Sequence, residues 1–146
     1  MTMTIAVAQE ATDELLAALN ALLPQLTGQP SALGREDLEA IVGEPGGRLL
    51  VARDEAGRIV GVLMLSTTRT PTRRRAHIDD VVVDASARGH GVGEALTAQA
   101  IETARELGAE QVDLTSAPYR EAANRLYQRL GFSRRETNVY RLDLTR

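Results

Sequence analysis

The chain contains no lysine, and all 17 of its basic residues are arginine. A Walker-type phosphate loop, a Schiff-base nucleophile and a lysine general base are therefore all excluded. Cysteine is also absent, which removes disulfides, thiolate metal sites and any thioester intermediate carried on the protein, and suits a reducing compartment. Histidine is limited to His77 and His90, too few for a histidine-built metal centre, so no metal is expected. Tryptophan is missing and aromatic residues make up only 3% of the chain, which leaves the core to aliphatic side chains. No apolar run approaches a bilayer span, and the opening MTMTIAVAQE has no basic stretch followed by an apolar core. A cytoplasmic protein without a membrane partner is expected.

What remains is enough for one folded unit. The 146 residues are 43% hydrophobic and 25% charged, with a net charge of −3, and the mean hydropathy is −0.18. These values suit a single domain over residues 1–146 and exclude a disordered, highly charged chain. The acidic balance also argues against nucleic acid as a partner.

Periodicity predicts a strand near residues 3–8, then a helix capped by Thr12 whose stripe of Leu15, Leu16, Leu19, Leu22 and Leu23 is disrupted at Pro24. A shorter helix carries Leu38, Ile41 and Val42. Residues 48–53 and 58–66 read as a hairpin closed by DEAG, and TTRTPTRRR, with Arg69, Arg73, Arg74 and Arg75, reads as an exposed connection. HIDDVVVDA follows as a strand covered on both faces. A helix from Val92 to about Leu107, a strand QVDLT, a helix ending at Gly131 and a last strand in TNVYRLDL complete the order.

The densest chemical signal is VVVDASARGHGVGEAL, a strand that runs into Arg88, Gly89, His90, Gly91, Val92 and Gly93 and opens a helix. Closely spaced glycines let a ligand approach the backbone, and the first helical turn directs unpaired N–H groups outward, so the segment suits an anion such as a diphosphate. A dinucleotide-binding fingerprint fails here, because the required third glycine or alanine is Leu96 in one register and Glu94 in the other. A purely structural strand-to-helix turn is the competing reading.

Arg88-x-x-Gly91-x-Gly93 resembles the acetyl-CoA pyrophosphate signature of the GNAT superfamily of N-acetyltransferases. About 35 residues later, Ala123-x-x-Leu126-Tyr127-x-x-Leu130-Gly131-Phe132 resembles that family's second signature. The resemblance implies an α/β (α+β) fold with a mixed, mostly antiparallel central sheet flanked by about four helices, its fourth and fifth strands splayed to admit pantetheine. It implies that backbone groups of Val81, Val82 and Val83 meet the pantetheine and the thioester carbonyl. The amides from Gly89 through His90, Gly91, Val92 and Gly93 to Glu94 would hold the pyrophosphate, with Arg88 as a charged partner. Tyr127 matches the tyrosine that protonates the departing thiolate, and a phenol remains protonated at neutral pH for that task.

A carboxylate must relieve the acceptor amine of its proton, directly or through water. Asp79 is the first choice, with Asp113 as a second candidate, and strict alternation would put His77 on the side of Asp79 and Asp80 on the opposite one. Where relatives carry a cofactor-contacting asparagine this chain has Arg120, and Asn124 is a neighbouring amide able to make that contact. The expectation is an acetyl-CoA-dependent N-acetyltransferase that moves acetyl directly to a primary amine of a small molecule or peptide, since no cysteine exists to carry it. A noncatalytic acyl-CoA sensor of the same fold is the alternative, and exposed strand edges leave a homodimer open.

Overall fold

A computed structural model describes residues 2–145. Its element order is β1 (Thr4–Val7), α1 (Asp13–Thr27), α2 (Arg35–Val42), β2 (Gly47–Arg53), β3 (Ile59–Arg69), β4 (Arg74–Val83), α3 (Val92–Glu106), β5 (Gln111–Asp113) and α4 (Glu121–Arg129). Contacts along the chain divide it into two units, one running through Thr115 and one beginning at Ser116.

In the first unit the five strands form one sheet in the order β1-β2-β3-β4-β5. The first three pairings are antiparallel and β4 with β5 is parallel. Alternation sends Leu49, Val51, Val62 and Val82 to one face, where they pack with Leu15, Leu19 and Leu22 of α1 and Leu38 of α2. The other face meets α3, which buries Val92, Leu96, Thr97, Ala100, Thr103 and Ala104. Gly61 of β3 lies directly beneath this helix. A Cβ there would stand 3.1 Å from Leu96 Cδ1 and 3.1 Å from Val92 Cγ1, so the missing side chain is what lets α3 settle onto the sheet.

The helix starts follow their caps. Thr12 accepts a hydrogen bond from the Leu15 N–H at 3.1 Å, as its position before the leucine stripe predicts. Asp37 accepts from the Gly34 N–H at 2.8 Å and closes the first turn of α2.

Three expectations need correction. First, α1 continues through Pro24 to Thr27, where Gly28 at φ 72° closes it by donating its N–H to the Pro24 carbonyl at 2.9 Å. Proline removes one donor of the ladder, but the packed leucines on either side keep the helix intact. Second, most of TTRTPTRRR is strand. β3 extends to Arg69 and β4 begins at Arg74, with Arg69 directly opposite Arg74, because pairing with a partner already in register outweighs the polarity of these residues. Third, no strand forms over residues 133–145. Val139 is 71% exposed and Tyr140 88%; alternation alone does not make a strand when no edge supplies its hydrogen bonds.

The second unit contains α4, an amphipathic helix with no fully buried residue of its own. Gly131, at φ 101°, ends the segment as its position after the helix predicts. Among the described residues, no helix is long and apolar enough to cross a membrane.

Leu96 is fully buried and anchors α3 to the sheet. Leu96→Ala is expected to cost about 2–5 kcal/mol of stability, read from the midpoint of urea unfolding.

Candidate active site

β4 carries most of the candidate residues. Its pairing with β5 covers only Arg75↔Gln111, Ala76↔Val112 and His77↔Asp113. β5 ends there, short of the predicted QVDLT, while β4 continues to Val83. The two strands therefore part, and from Ile78 onward β4 has no strand on its β5 side among the described residues.

The other edge of β4 holds an irregularity that alternation cannot anticipate. Met64 pairs with Asp79 and Val62 with Val82, so Leu63 alone faces both Asp80 and Val81. This is a β-bulge, and Asp80 occupies it at φ 51°, the one positive φ outside glycine among the described residues. An L-residue held there costs on the order of 1 kcal/mol. The extra residue resets the strand's parity. Asp79 and Val82, three positions apart, register with Met64 and Val62 on the same sheet face. Strict alternation therefore does not carry through Asp80, because it requires an uninterrupted pleat. The valine run is also less enclosed than predicted: Val82 is buried, whereas Val81 and Val83 are half-buried.

His77 and Asp79 do lie on one side, with Nε2 3.4 Å from Oδ1. Both side chains are substantially exposed, 40% and 55%, so the pair is screened and its main effect is orientation. Asp80 is different. Partial desolvation pushes its carboxyl pKa up, and the neighbouring Asp79 charge pushes it the same way.

Beyond Val83 the chain makes a short 3₁₀ turn at Ala85–Ala87 and reaches α3 through Gly89 and Gly91, at φ 82° and 78°. Gly91 is the N-cap of α3 and supplies no side-chain cap to its first turn. Space above both glycines is open, so the backbone is accessible to an anion as the sequence anticipates. Val92 is 2% exposed and offers only its amide. Arg88 and His90 are exposed; the Arg88 Nε–H reaches back to the Val83 carbonyl at 3.3 Å, tying the guanidinium to the end of β4.

The residues that brace this turn were not singled out by sequence reasoning. Asp84 Oδ1 accepts from Gln25 Nε2 at 2.8 Å, and Gln25 Oε1 accepts from the Ala85 N–H at 2.9 Å, so one glutamine clamps α1 to the turn. The Ser86 hydroxyl also donates to Asp84, and Arg58 lies 3.5 Å away. The hydrogen bonds from Ser86 and Gln25 hold the Asp84 pKa at about 2. An aspartate two residues before a serine was the available signal, an Asx turn; its partner Gln25, 59 positions away, had none.

The second unit holds Arg120, Asn124 and Tyr127. Arg120 lies over the Tyr119 ring at 5.8 Å. The Asn124 amide donates to the Ala117 carbonyl at 3.0 Å and the Arg120 carbonyl at 2.8 Å, bracing the start of α4. Tyr127 is half-buried and packs edge-on against Phe132, with ring centres 5.9 Å apart. The Phe132 N–H bonds the Tyr127 carbonyl at 3.0 Å, which explains why Gly-Phe follows the helix. Burial pushes the Tyr127 pKa up, with Arg120 acting in the opposite direction.

A cavity of about 410 Å³ lies elsewhere, between β1, β2 and the C-terminal half of α3, lined by residues such as Val7, Arg48, Gln99 and Thr103. It contains none of the candidate residues. No group of histidine, aspartate and glutamate suited to a metal ion occurs among the described residues.

The splay, the bulge and the glycine-capped helix coincide with a family match. The model of the acetyltransferase (GNAT) family covers residues 15–132. The chain belongs to the GNAT family. It is 41% identical over 96 residues to a mycothiol acetyltransferase of Propionibacterium freudenreichii, and 43% identical over 91 residues to a glucosamine 6-phosphate N-acetyltransferase of Trypanosoma brucei. These matches take in 66% and 60% of this chain, but only 30% and 59% of the relatives' own length. A crystal structure of a T. brucei acetyltransferase superposes with a TM-score of 0.81 at 34% identity, covering 98% of this chain and all of that one.

The brace at Asp84 yields a pH test for this GNAT chain. Its folded pKa, about 2, lies below the ordinary 3.8, so its stabilisation is present above the ordinary value and is lost as pH falls toward 2. After allowance for solvent screening, Asp84→Asn is expected to lose about 1 kcal/mol at neutral pH. That difference should shrink steadily in melts recorded at progressively more acidic pH.

Proposed function

We propose that this protein transfers the acetyl group of acetyl-CoA directly to a primary amine. The observation that carries the reading is the uncapped N-terminus of α3, entered through Gly89 and Gly91 from a strand that has already parted from β5. Acetyl-CoA is the cosubstrate. Its diphosphate is held by the amides from Gly89 to Glu94, where several N–H dipoles converge without a lysine. Its pantetheine arm takes the place of a missing strand beside β4, bonding the backbone of Val81 to Val83, and an N–H from that stretch polarises the thioester carbonyl.

Asp79, kept in place by His77, takes one proton from the acceptor's ammonium ion, directly or through water. The freed nitrogen lone pair attacks the carbonyl carbon, the C–N bond forms as the C–S bond breaks, the second N–H proton passes to water, and Tyr127 donates its phenolic proton to the thiolate. Burial keeps that phenol protonated until sulfur develops charge. Alignment of amine and thioester supplies most of the acceleration, roughly 7–11 kcal/mol in favourable systems. Glucosamine 6-phosphate, the acceptor named for one relative, is the first small amine to test.

Calorimetry with coenzyme A and turnover of acetyl-CoA against glucosamine 6-phosphate, glycinamide and a basic peptide test the reading together. Gly91→Ala puts a Cβ at φ 78° and is expected to weaken coenzyme A binding about tenfold, the equivalent of 1–2 kcal/mol. Tyr127→Phe should leave binding intact and lower kcat about 100-fold. Absence of binding to the wild-type protein would end the proposal, and binding without turnover of any of the three amines would favour an acyl-CoA sensor.

A further inference from the structure

The cavity of about 410 Å³ between β1, β2 and α3 takes no part in the site described above, yet its size is that of a small-molecule pocket. Its floor is aliphatic. Val7 pairs with Leu50, and Ile5 faces the same way by strand alternation. From α3 come Gln99, Thr103 and Glu106, which recur at helical spacing along one face. Arg48 lines the cavity from β2. Its Nη1 donates to the Pro45 carbonyl at 3.1 Å and the Gly47 carbonyl at 2.7 Å, which fixes the guanidinium, while Nε and Nη2 have no partner among the described residues. Glu106 makes no hydrogen bond or ion pair among the described residues, and its position does not favour folding. It is the last residue of α3, at the negative end of the helix dipole, where a cation is stabilising and a carboxylate is not. The neighbouring Arg105 is bonded to Glu102 instead. One cavity therefore holds a cation and an anion that are not paired with each other.

We propose that this cavity binds a small zwitterion, a molecule with one carboxylate and one ammonium on an aliphatic body, such as an amino acid or a dipeptide. The Nε and Nη2 edge of Arg48 is a planar fork that matches a carboxylate through two parallel N–H···O bonds. The ammonium goes to Glu106, where the dipole of α3 favours a cation as well. The aliphatic body rests on Ile5, Val7 and Leu50, and covering them removes apolar surface from water. This site is separate from the one proposed for a diphosphate. Helix α3 has 15 residues and Gly91 caps its opposite end, about 22 Å away at 1.5 Å per residue. A ligand at Glu106 consequently does not compete for the glycine turn, and the proposal is independent of the acetyltransferase reading.

The test is a titration of the isotope-labelled protein with leucine, glycyl-leucine and 6-aminohexanoate, followed by backbone amide chemical shifts. At least one of the three is expected to bind saturably, one molecule per chain, and to shift the amides of Thr4–Val7 and of residues 103–107 while those of residues 89–94 stay in place. Arg48→Gln and Glu106→Gln should each weaken that binding about tenfold or more, as loss of a charge-assisted pair does. The carboxamide of the same ligand should bind the wild type as weakly as the zwitterion binds Arg48→Gln, and Arg48→Gln should lower its affinity no further. Glu106→Gln relieves the helix terminus, so its melting midpoint should equal or exceed that of the wild type; it carries the test alone if Arg48→Gln, whose guanidinium bonds two carbonyls, does not fold. No saturable shift with any of the three at about 50 mM would overturn the proposal. Binding that survives Glu106→Gln at full strength, or that shifts only residues 89–94, would overturn it too. Coenzyme A binding is read in its own titration, so failure here is distinguishable from failure of the acetyltransferase reading.

Discussion

The pairing of β3 with β4 is the interaction on which the candidate site depends. β4 has one firm neighbour along most of its length, since β5 accompanies it only as far as His77. Everything beyond that pair, including the bulge, the valines and the entry to the glycine turn, is held in position from the β3 side. The burial of Leu63, Leu65, Ile78 and Val82 between sheet and helices stabilises that pairing. A strand secured on one edge can leave the other edge open to a ligand. A strand paired on both edges could not.

The same economy governs the anion site. In the site proposed for a diphosphate, main-chain dipoles add to the charge of Arg88, and a helix N-terminus supplies them only if the preceding loop stays clear of it. Gly89 and Gly91 clear the approach, while Gln25 and Asp84 keep the loop from drifting. Rigidity matters because a helix dipole acts over about one turn. Thus α1, which supplies no residue proposed to touch a ligand, still takes part in the site through one glutamine.

Some of this was legible in the order of residues and some was not. The glycine turn was, because positive φ and close backbone approach narrow the choice of residue so strongly that Gly89 and Gly91 declare themselves. The caps at Thr12 and Gly131 were legible for the same local reason. The reach of β3 and β4 into the arginine-rich hairpin was not, since Arg69 and Arg74 look like loop residues until each is seen opposite the other. Helix α1 ran past its proline because packing outweighed a local rule. The alternating residues near the C-terminus pointed to a strand, yet pairing is a property of two segments, and one segment cannot reveal it.

Taken alone, the chain's residues determined which chemistries were closed to it and where a glycine-entered helix begins, because composition and backbone freedom are local properties. They also showed the family, through two short patterns set the right distance apart. Only the tertiary structure decided that β4 carries a bulge at Asp80, that Asp79 and Val82 share a face, and that Gln25 supports the turn. Each of these depends on register between segments far apart in sequence, and a one-residue slip in register changes every side chain's face without altering a single residue.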